Sequence, residues 1–131
     1  MQPGRREAMV VEDDPDARRL VTACLRRLGM VVHQAKSGAE AVKLLESLTP
    51  DLVCLDLRLP DFNGLLVCEK MRASERLQNV PVLVISALAQ PADLEKAEQM
   101  GADDYLVKPF RAAALAASVR ELMALSEVSP S

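Results

Sequence analysis

Polar residues follow four short apolar runs in this chain, and together they have the makings of metal-assisted chemistry on an anion. Glu12, Asp13 and Asp14 follow Ala8–Val11, Asp56 follows Leu52–Leu55, Ser86 follows Val82–Ile85, and Lys108 follows Tyr105–Val107. If the first and third runs are neighbouring strands, their carboxylates converge on one small space, where repulsion and desolvation are costly. A hard divalent cation relieves that cost, and Mg2+ takes oxygen ligands in near-octahedral geometry with several waters retained. A hydroxyl from Ser86 and an ammonium from Lys108 would both reach an anion held near Asp56. Each residue alone has a plainer reading: acids after a strand cap loops, a strand-end serine sits in a turn, and a lysine is a surface charge. The set is harder to set aside, because each member follows a separate predicted strand.

Five short runs rich in branched residues predict strands at Ala8–Val11, Met30–Val32, Leu52–Leu55, Val82–Ile85 and Tyr105–Val107. Four of the five are too uniformly apolar for a half-exposed sheet, which points to buried parallel strands with helices on both faces. Between them lie amphipathic stretches. Ala17, Leu20, Val21, Cys24, Leu25 and Leu28 recur at helical spacing before Gly29. Ser37 and Glu40 have capping-box spacing ahead of Ala41, Leu44, Leu45 and Leu48, and Pro50 blocks continuation. Further helices are expected over Leu65–Ala73, Ala92–Met100 and Arg111–Leu125, the last rich in alanine and leucine. Strict alternation of this kind gives right-handed crossovers and an α/β, doubly wound sheet, whose ligand chemistry collects outside the carboxyl ends of the strands.

Composition narrows the function. The chain has 131 residues, half of them hydrophobic, enough for a core without disulfides or a structural metal. Cys24, Cys54 and Cys68 are widely spaced in apolar or helical stretches and read as buried hydrophobes in a reducing compartment. A net charge of -3 with dispersed arginines argues against direct nucleic-acid binding. No apolar run is long enough to cross a bilayer, and MQPGRREA lacks the apolar stretch of a secretory signal, so a cytoplasmic protein is expected. The single histidine, His33, is read as the end of the second strand and supports no catalytic triad. One domain over residues 8–125 is expected, with loose termini at 1–7 and 126–131.

Taken in order, Val10-Val11-Glu12-Asp13-Asp14, Leu55-Asp56-Leu57-Arg58-Leu59-Pro60, Ile85-Ser86-Ala87 and Gly101-Ala102-Asp103-Asp104-Tyr105-Leu106-Val107-Lys108-Pro109-Phe110 resemble the response-regulator receiver family of two-component signalling. Each motif is weak alone, and the ordered set is specific. The resemblance implies a five-stranded, flavodoxin-like receiver fold with strand order 2-1-3-4-5. It implies Asp56 as phosphoacceptor, with Pro60 and Gly64 at their usual places after it. Glu12 and Asp13 match the acidic pair that holds Mg2+ together with Asp56 and the backbone carbonyl of Arg58; Asp14 falls outside the pair. Ser86 and Lys108 match the residues that stabilise the phosphoryl group, and Pro109 would follow a cis peptide bond.

The implied chemistry is transfer of a phosphoryl group from a phosphohistidine, on a sensor histidine kinase or histidine phosphotransfer protein, to the Asp56 carboxylate. The chain modifies itself and is in that sense a signalling acceptor, not an enzyme. Phosphorylation raises the charge at Asp56 to roughly -1.5 to -2 and supplies three strong acceptors. Ser86 would swing toward them and Tyr105, at the place of the family's switch aromatic, would turn inward, altering the face of the fourth helix, fifth strand and fifth helix. Homodimerisation through that face is a further expectation: Lys96, Asp103, Asp104 and Arg120 keep part of the salt-bridge pattern of winged-helix relatives, although Ser118 stands where an arginine is usual. By family analogy Leu88 cannot orient an attacking water and the long Arg58 side chain would obstruct its access, which implies a moderately long-lived phosphoryl state. Two other functions use the same residues: a receiver-like adaptor that is never phosphorylated, and a small Mg2+-dependent phosphohydrolase. The intact acidic, hydroxyl and lysine set speaks against the first, and short loops that enclose little substrate speak against the second.

Overall fold

A computed structural model describes residues 5–127. Its elements alternate as β1 (Glu7–Val11), α1 (Pro15–Arg27), β2 (Val31–Ala35), α2 (Gly38–Leu45), β3 (Leu52–Leu55), α3 (Leu65–Arg72), β4 (Val82–Ser86), α4 (Pro91–Gln99), β5 (Asp104–Val107) and α5 (Ala112–Glu127). All strand pairs are parallel and the order is β2-β1-β3-β4-β5, as expected of the doubly wound fold. The chain reverses its direction of winding between β1 and β3, so a crevice opens at their carboxyl ends.

Alternation along the central strands divides the core in two. Met9, Val11, Val53, Leu55, Val82 and Val84 face one side, where they meet Ala41, Leu45, Val67, Met71 and Ala97 of α2, α3 and α4. Ala8, Val10, Leu52, Cys54, Leu83 and Ile85 face the other, against Val21 and Leu25 of α1 and Leu115, Val119 and Leu122 of α5. Such two-sided burial explains why β1, β3 and β4 read as continuous apolar runs. Cys54 is part of this core, and burial pushes its thiol up to about 12.

The edge strands correct the sequence reading. β2 runs to Ala35, beyond the expected Met30–Val32, and β5 is only half-buried along its length. An edge strand tolerates polar residues, which hid His33 and Gln34 from an apolar-run criterion. His33 thus lies inside β2, its Nε2 at 2.8 Å from Glu7 Oε1. Glu7 belongs to β1, and Ser126 and Glu127 to α5, so the ordered elements reach past the expected 8–125 limits. Of the other expected loose residues, Arg5 and Arg6 precede β1, with Arg6 O accepting the Val31 N–H at 2.9 Å, and 1–4 and 128–131 lie outside the described residues.

Helix ends follow local chemistry. Asp14 caps α1 by accepting the Ala17 N–H at 2.8 Å, a role consistent with its exclusion from the metal set. Ser37 Oγ accepts the Glu40 N–H, but Glu40 reaches back to the Lys36 N–H instead of closing the box on Ser37. α2 stops at Leu45, short of Leu48, where the Arg76 guanidinium takes the carbonyls of Leu45 and Leu48. Gly29 and Gly101, with φ of 87° and 102°, end α1 and α4 in the left-handed conformation that glycine permits.

At the amino-terminal end of the sheet Arg72 joins three segments. Its guanidinium donates to the carbonyls of Val80 (2.8 Å) and Gly101 (2.7 Å) and pairs with Asp103 Oδ2 at 2.9 Å. Asp103 Oδ2 also accepts the Val82 N–H at 2.8 Å. Asp103, one of the four charges in the expected dimer pattern, thus also has partners within its own chain.

Candidate functional site

Two ladder bonds aim the acids. Asp56 N–H donates to Val11 O and Glu12 N–H to Ala35 O, both at 3.0 Å, so the residues just past β1 and β3 emerge side by side. Glu12 and Asp56 are 3% and 6% exposed, whereas Asp13 is open to solvent. Carboxylate oxygens of Glu12, Asp13 and Asp56 all lie within 4.8 Å of one another. The convergence expected from the sequence is thus present, on the rim of the crevice.

Lys108 enters from β5. Its Nζ donates to Glu12 Oε1 at 2.5 Å and Asp56 Oδ2 at 3.0 Å. The Lys108–Pro109 peptide is cis. Burial alone pulls the ammonium down, but its bonds to the two carboxylates outweigh that and hold it above the ordinary lysine value. Glu12 moves the other way from an ordinary carboxylate: burial, helped by the neighbouring Asp56 and opposed by Lys108, raises it to about 7. Burial of Glu12 is thus the main cause, with Asp56 adding to it and Lys108 offsetting only part.

The raised Glu12 sets a pH dependence. Between the ordinary 4.5 and about 7 the folded chain holds a proton that the unfolded chain has released. Stability from this carboxyl is therefore fully present below 4.5 and lost as pH rises through 7. Urea denaturation in EDTA should give a lower midpoint at pH 8 than at pH 5.5, and Mg2+ should narrow the gap by taking the proton's place; equal midpoints in EDTA would contradict the crowding.

Ser86 is fully buried, and its Oγ accepts the Leu88 N–H at 3.3 Å. Lys108 N–H donates to Ser86 O at 2.9 Å, so hydroxyl and ammonium stand on paired strand ends. Tyr105 OH donates to Leu88 O at 2.6 Å. Both expected switch residues thus hold the same short segment after β4. Phe110 packs into the core beside α5.

Two contributors left no mark in the spacing of residues. Arg18, one turn into α1, donates from Nη1 to the carbonyls of Glu12 (3.0 Å) and Asp13 (3.3 Å) and from Nε to Gln34, pinning the acidic loop by its backbone. On the other loop, Asp56 Oδ1 accepts the Arg58 N–H at 3.1 Å, and Arg58 bridges to Asn63 across a tight turn. No helix among the described residues is long and apolar enough to cross a membrane.

Comparison with known proteins agrees with this geometry. The model of the response regulator receiver domain family matches residues 8–120. The chain is 39% identical over 122 residues to the DNA-binding dual master transcriptional regulator RpaA of Synechocystis, covering 93% of this chain and 51% of that protein. It is 36% identical to the DNA-binding response regulator MtrA of Mycolicibacterium smegmatis, covering 99% of this chain and 56% of the relative. The chain therefore spans about half the length of these curated relatives. Among solved structures, the receiver domain of a sensor histidine kinase from Pseudomonas aeruginosa, with a magnesium ion coordinated in its active-site cleft, superposes with a TM-score of 0.84 at 33% identity, over 92% of this chain and 99% of that one. With the sheet order, the strand-end acids and the strand-end lysine all in place, the chain belongs to the response regulator receiver domain family.

Proposed function

We propose that Asp56 accepts a phosphoryl group from a phosphohistidine on a histidine kinase or phosphotransfer protein. The observation that carries this reading is the placement of the Asp56 carboxylate: nearly buried, bonded to Lys108, and within reach of two further acids. An Asp56 oxygen attacks phosphorus, the P–N bond breaks, and the imidazole leaves, giving a mixed carboxyl–phosphoryl anhydride. Lys108 already donates to Asp56 Oδ2, where its ammonium would meet the incoming phosphoryl oxygens, and Ser86 stands on the paired strand end.

The all-oxygen donor set of three converging carboxylates suits Mg2+. Glu12, Asp13, Asp56 and the Arg58 carbonyl are the residues we assign to it. Bound there, Mg2+ would neutralise phosphoryl oxygens and shield them from the carboxylates. The chain contributes one nucleophile that it consumes on itself, so it acts as a signal carrier and leaves catalysis to its donor.

Signal output follows from the bonds that a phosphoryl group would break. Rotation of the Ser86 hydroxyl to donate to its oxygens would take Oγ away from the Leu88 N–H that it now accepts; freeing Leu88 also loosens the carbonyl that Tyr105 holds. The face of α4, β5 and α5 is the surface so altered. DNA binding, named for the full-length relatives, we place outside this acidic domain.

Incubation with acetyl phosphate and Mg2+, read by intact mass, tests the proposal. We expect one added phosphoryl group in the wild-type chain, and none after Asp56→Ala or in EDTA. A wild-type chain that neither gains mass nor binds Mg2+ would leave the constitutive adaptor as the better reading.

A further inference from the structure

The loop between β3 and α3 carries Asp56's neighbours, and its tip rests on another element. Asp61 Oδ1 accepts the Gly38 N–H at 2.9 Å, and Oδ2 accepts the Ala39 N–H at 2.8 Å. These are two of the amide groups that the start of α2 cannot satisfy within the helix, and a carboxylate there is favoured by the helix dipole. Although slight burial pulls the other way, these backbone bonds hold the Asp61 carboxyl below the ordinary value. The next residue makes a second tie: the Phe62 ring lies against Gly38 so closely that a Cβ at that position would run into it. The same loop is folded on itself by the Arg58–Asn63 bridge and by Gly64 N–H on Leu57 O at 2.8 Å. A tip fixed at Asp61 and Phe62 therefore fixes Arg58, which sits at the other end of one rigid turn.

We propose that Asp61 and Phe62 are positioning residues that latch this loop onto the start of α2 and so hold the Arg58 carbonyl where a divalent cation can use it. The inference rests on the phosphoacceptor reading of the Asp56 site. It assigns α2 a part in metal binding although none of its side chains reaches the acids.

Gly38 permits a test that separates positioning from stability. Its φ is not in the left-handed region, so Gly38→Ala suits the helix backbone, keeps the Asp61 carboxylate in place and leaves the net charge unchanged; it evicts only the Phe62 ring. Wild type, Gly38→Ala, Asp61→Ala and Asp61→Asn would be titrated with Mg2+ and followed by backbone amide shifts, with urea midpoints measured on the same samples. Residues that orient metal ligands are typically worth 10–100-fold in affinity, and we expect Gly38→Ala and Asp61→Ala to raise the Mg2+ Kd by about 10-fold. Asp61→Asn, which keeps one acceptor, should fall between. Amides of Arg58, Leu59 and residues 61–64 should broaden or shift in the variants before metal is added. Lower urea midpoints with an unchanged Mg2+ Kd would overturn the latch and leave Asp61 as a helix cap alone. Absence of Mg2+ binding in the wild-type chain would overturn the Asp56 reading itself, and the positioning role with it.

Discussion

Lys108→Ala should tighten Mg2+ binding while slowing phosphoryl uptake, two effects of opposite sign from one substitution. The Lys108 side chain is 22% exposed and lies between Glu12 and Asp56 side chains that are 4% and 7% exposed. Taking it away leaves two nearly buried carboxylates without their countercharge. Removing one partner of a buried ion pair typically costs about 3–5 kcal/mol, and protonation of Glu12 should hold the loss near the lower figure. Urea denaturation at pH 8 in EDTA reads this loss directly. Mg2+ should restore much of it, because the cation then meets acids no longer shared with an ammonium. On the proposed reading, phosphoryl uptake depends on the same ammonium in another way: it would meet the oxygens of the phosphoryl group arriving at Asp56. Losing one such preorganised donor commonly costs about 100-fold or more in rate, and a decrease of that order in the mass-spectrometric time course is expected. If metal binding and uptake instead weakened together, Lys108 would be acting as a scaffold for the loop and not as a charge.

Gly64→Ala should be the most damaging substitution among the glycines. Its backbone is ordinary right-handed helix, so conformational strain does not enter. The obstacle is steric: an added Cβ would overlap the backbone carbonyl of Asp56 and crowd Leu57 Cα. Flexible side chains can move aside, but these atoms belong to the end of β3 and its exit. We expect a stability loss of about 2 kcal/mol, as for an overpacked core, and a larger loss of phosphoryl uptake, since the displaced residue is the proposed acceptor. Gly29→Ala makes the control. Nothing lies within 4 Å of its Cβ position, but its φ of 87° penalises a side chain, so stability should fall by about 1 kcal/mol with uptake unchanged. Equal uptake in the two variants would show that Asp56 tolerates displacement.

Much of the fold and the main residues of the site were legible because both depend on burial and chain order. β1, β3 and β4 are covered on two faces and announce themselves as apolar runs; Glu12, Asp13, Asp56, Ser86 and Lys108 stand directly after such runs or one residue on. What escaped is carried by long polar side chains that reach backbone groups far along the sequence. Arg18 on the Glu12 carbonyl, Asp61 on the Gly38 amide and Arg72 on the Gly101 carbonyl have no periodicity and no characteristic spacing. The second strand was shortened for a related reason, since His33 and Gln34 point to a solvent edge where polarity is free of penalty. Charge alone also did not reveal that Asp103, one of the four residues in the expected dimer pattern, has Arg72 as a partner within the chain.

The Arg72 junction also decides where motion can be expressed. β4 and β5 are clamped at the end where they begin, by a permanently charged guanidinium and a carboxylate that also grips the Val82 amide. At the opposite end the same two strands finish in Ser86 and Val107, beside the Leu88 segment held by one hydroxyl and one phenol. Mechanically the pair is a beam fixed at one end and loaded at the other. On the proposed reading, a new anion at Asp56 would therefore act on the end held by Ser86 and Tyr105, ahead of α4, and not at the Arg72 clamp.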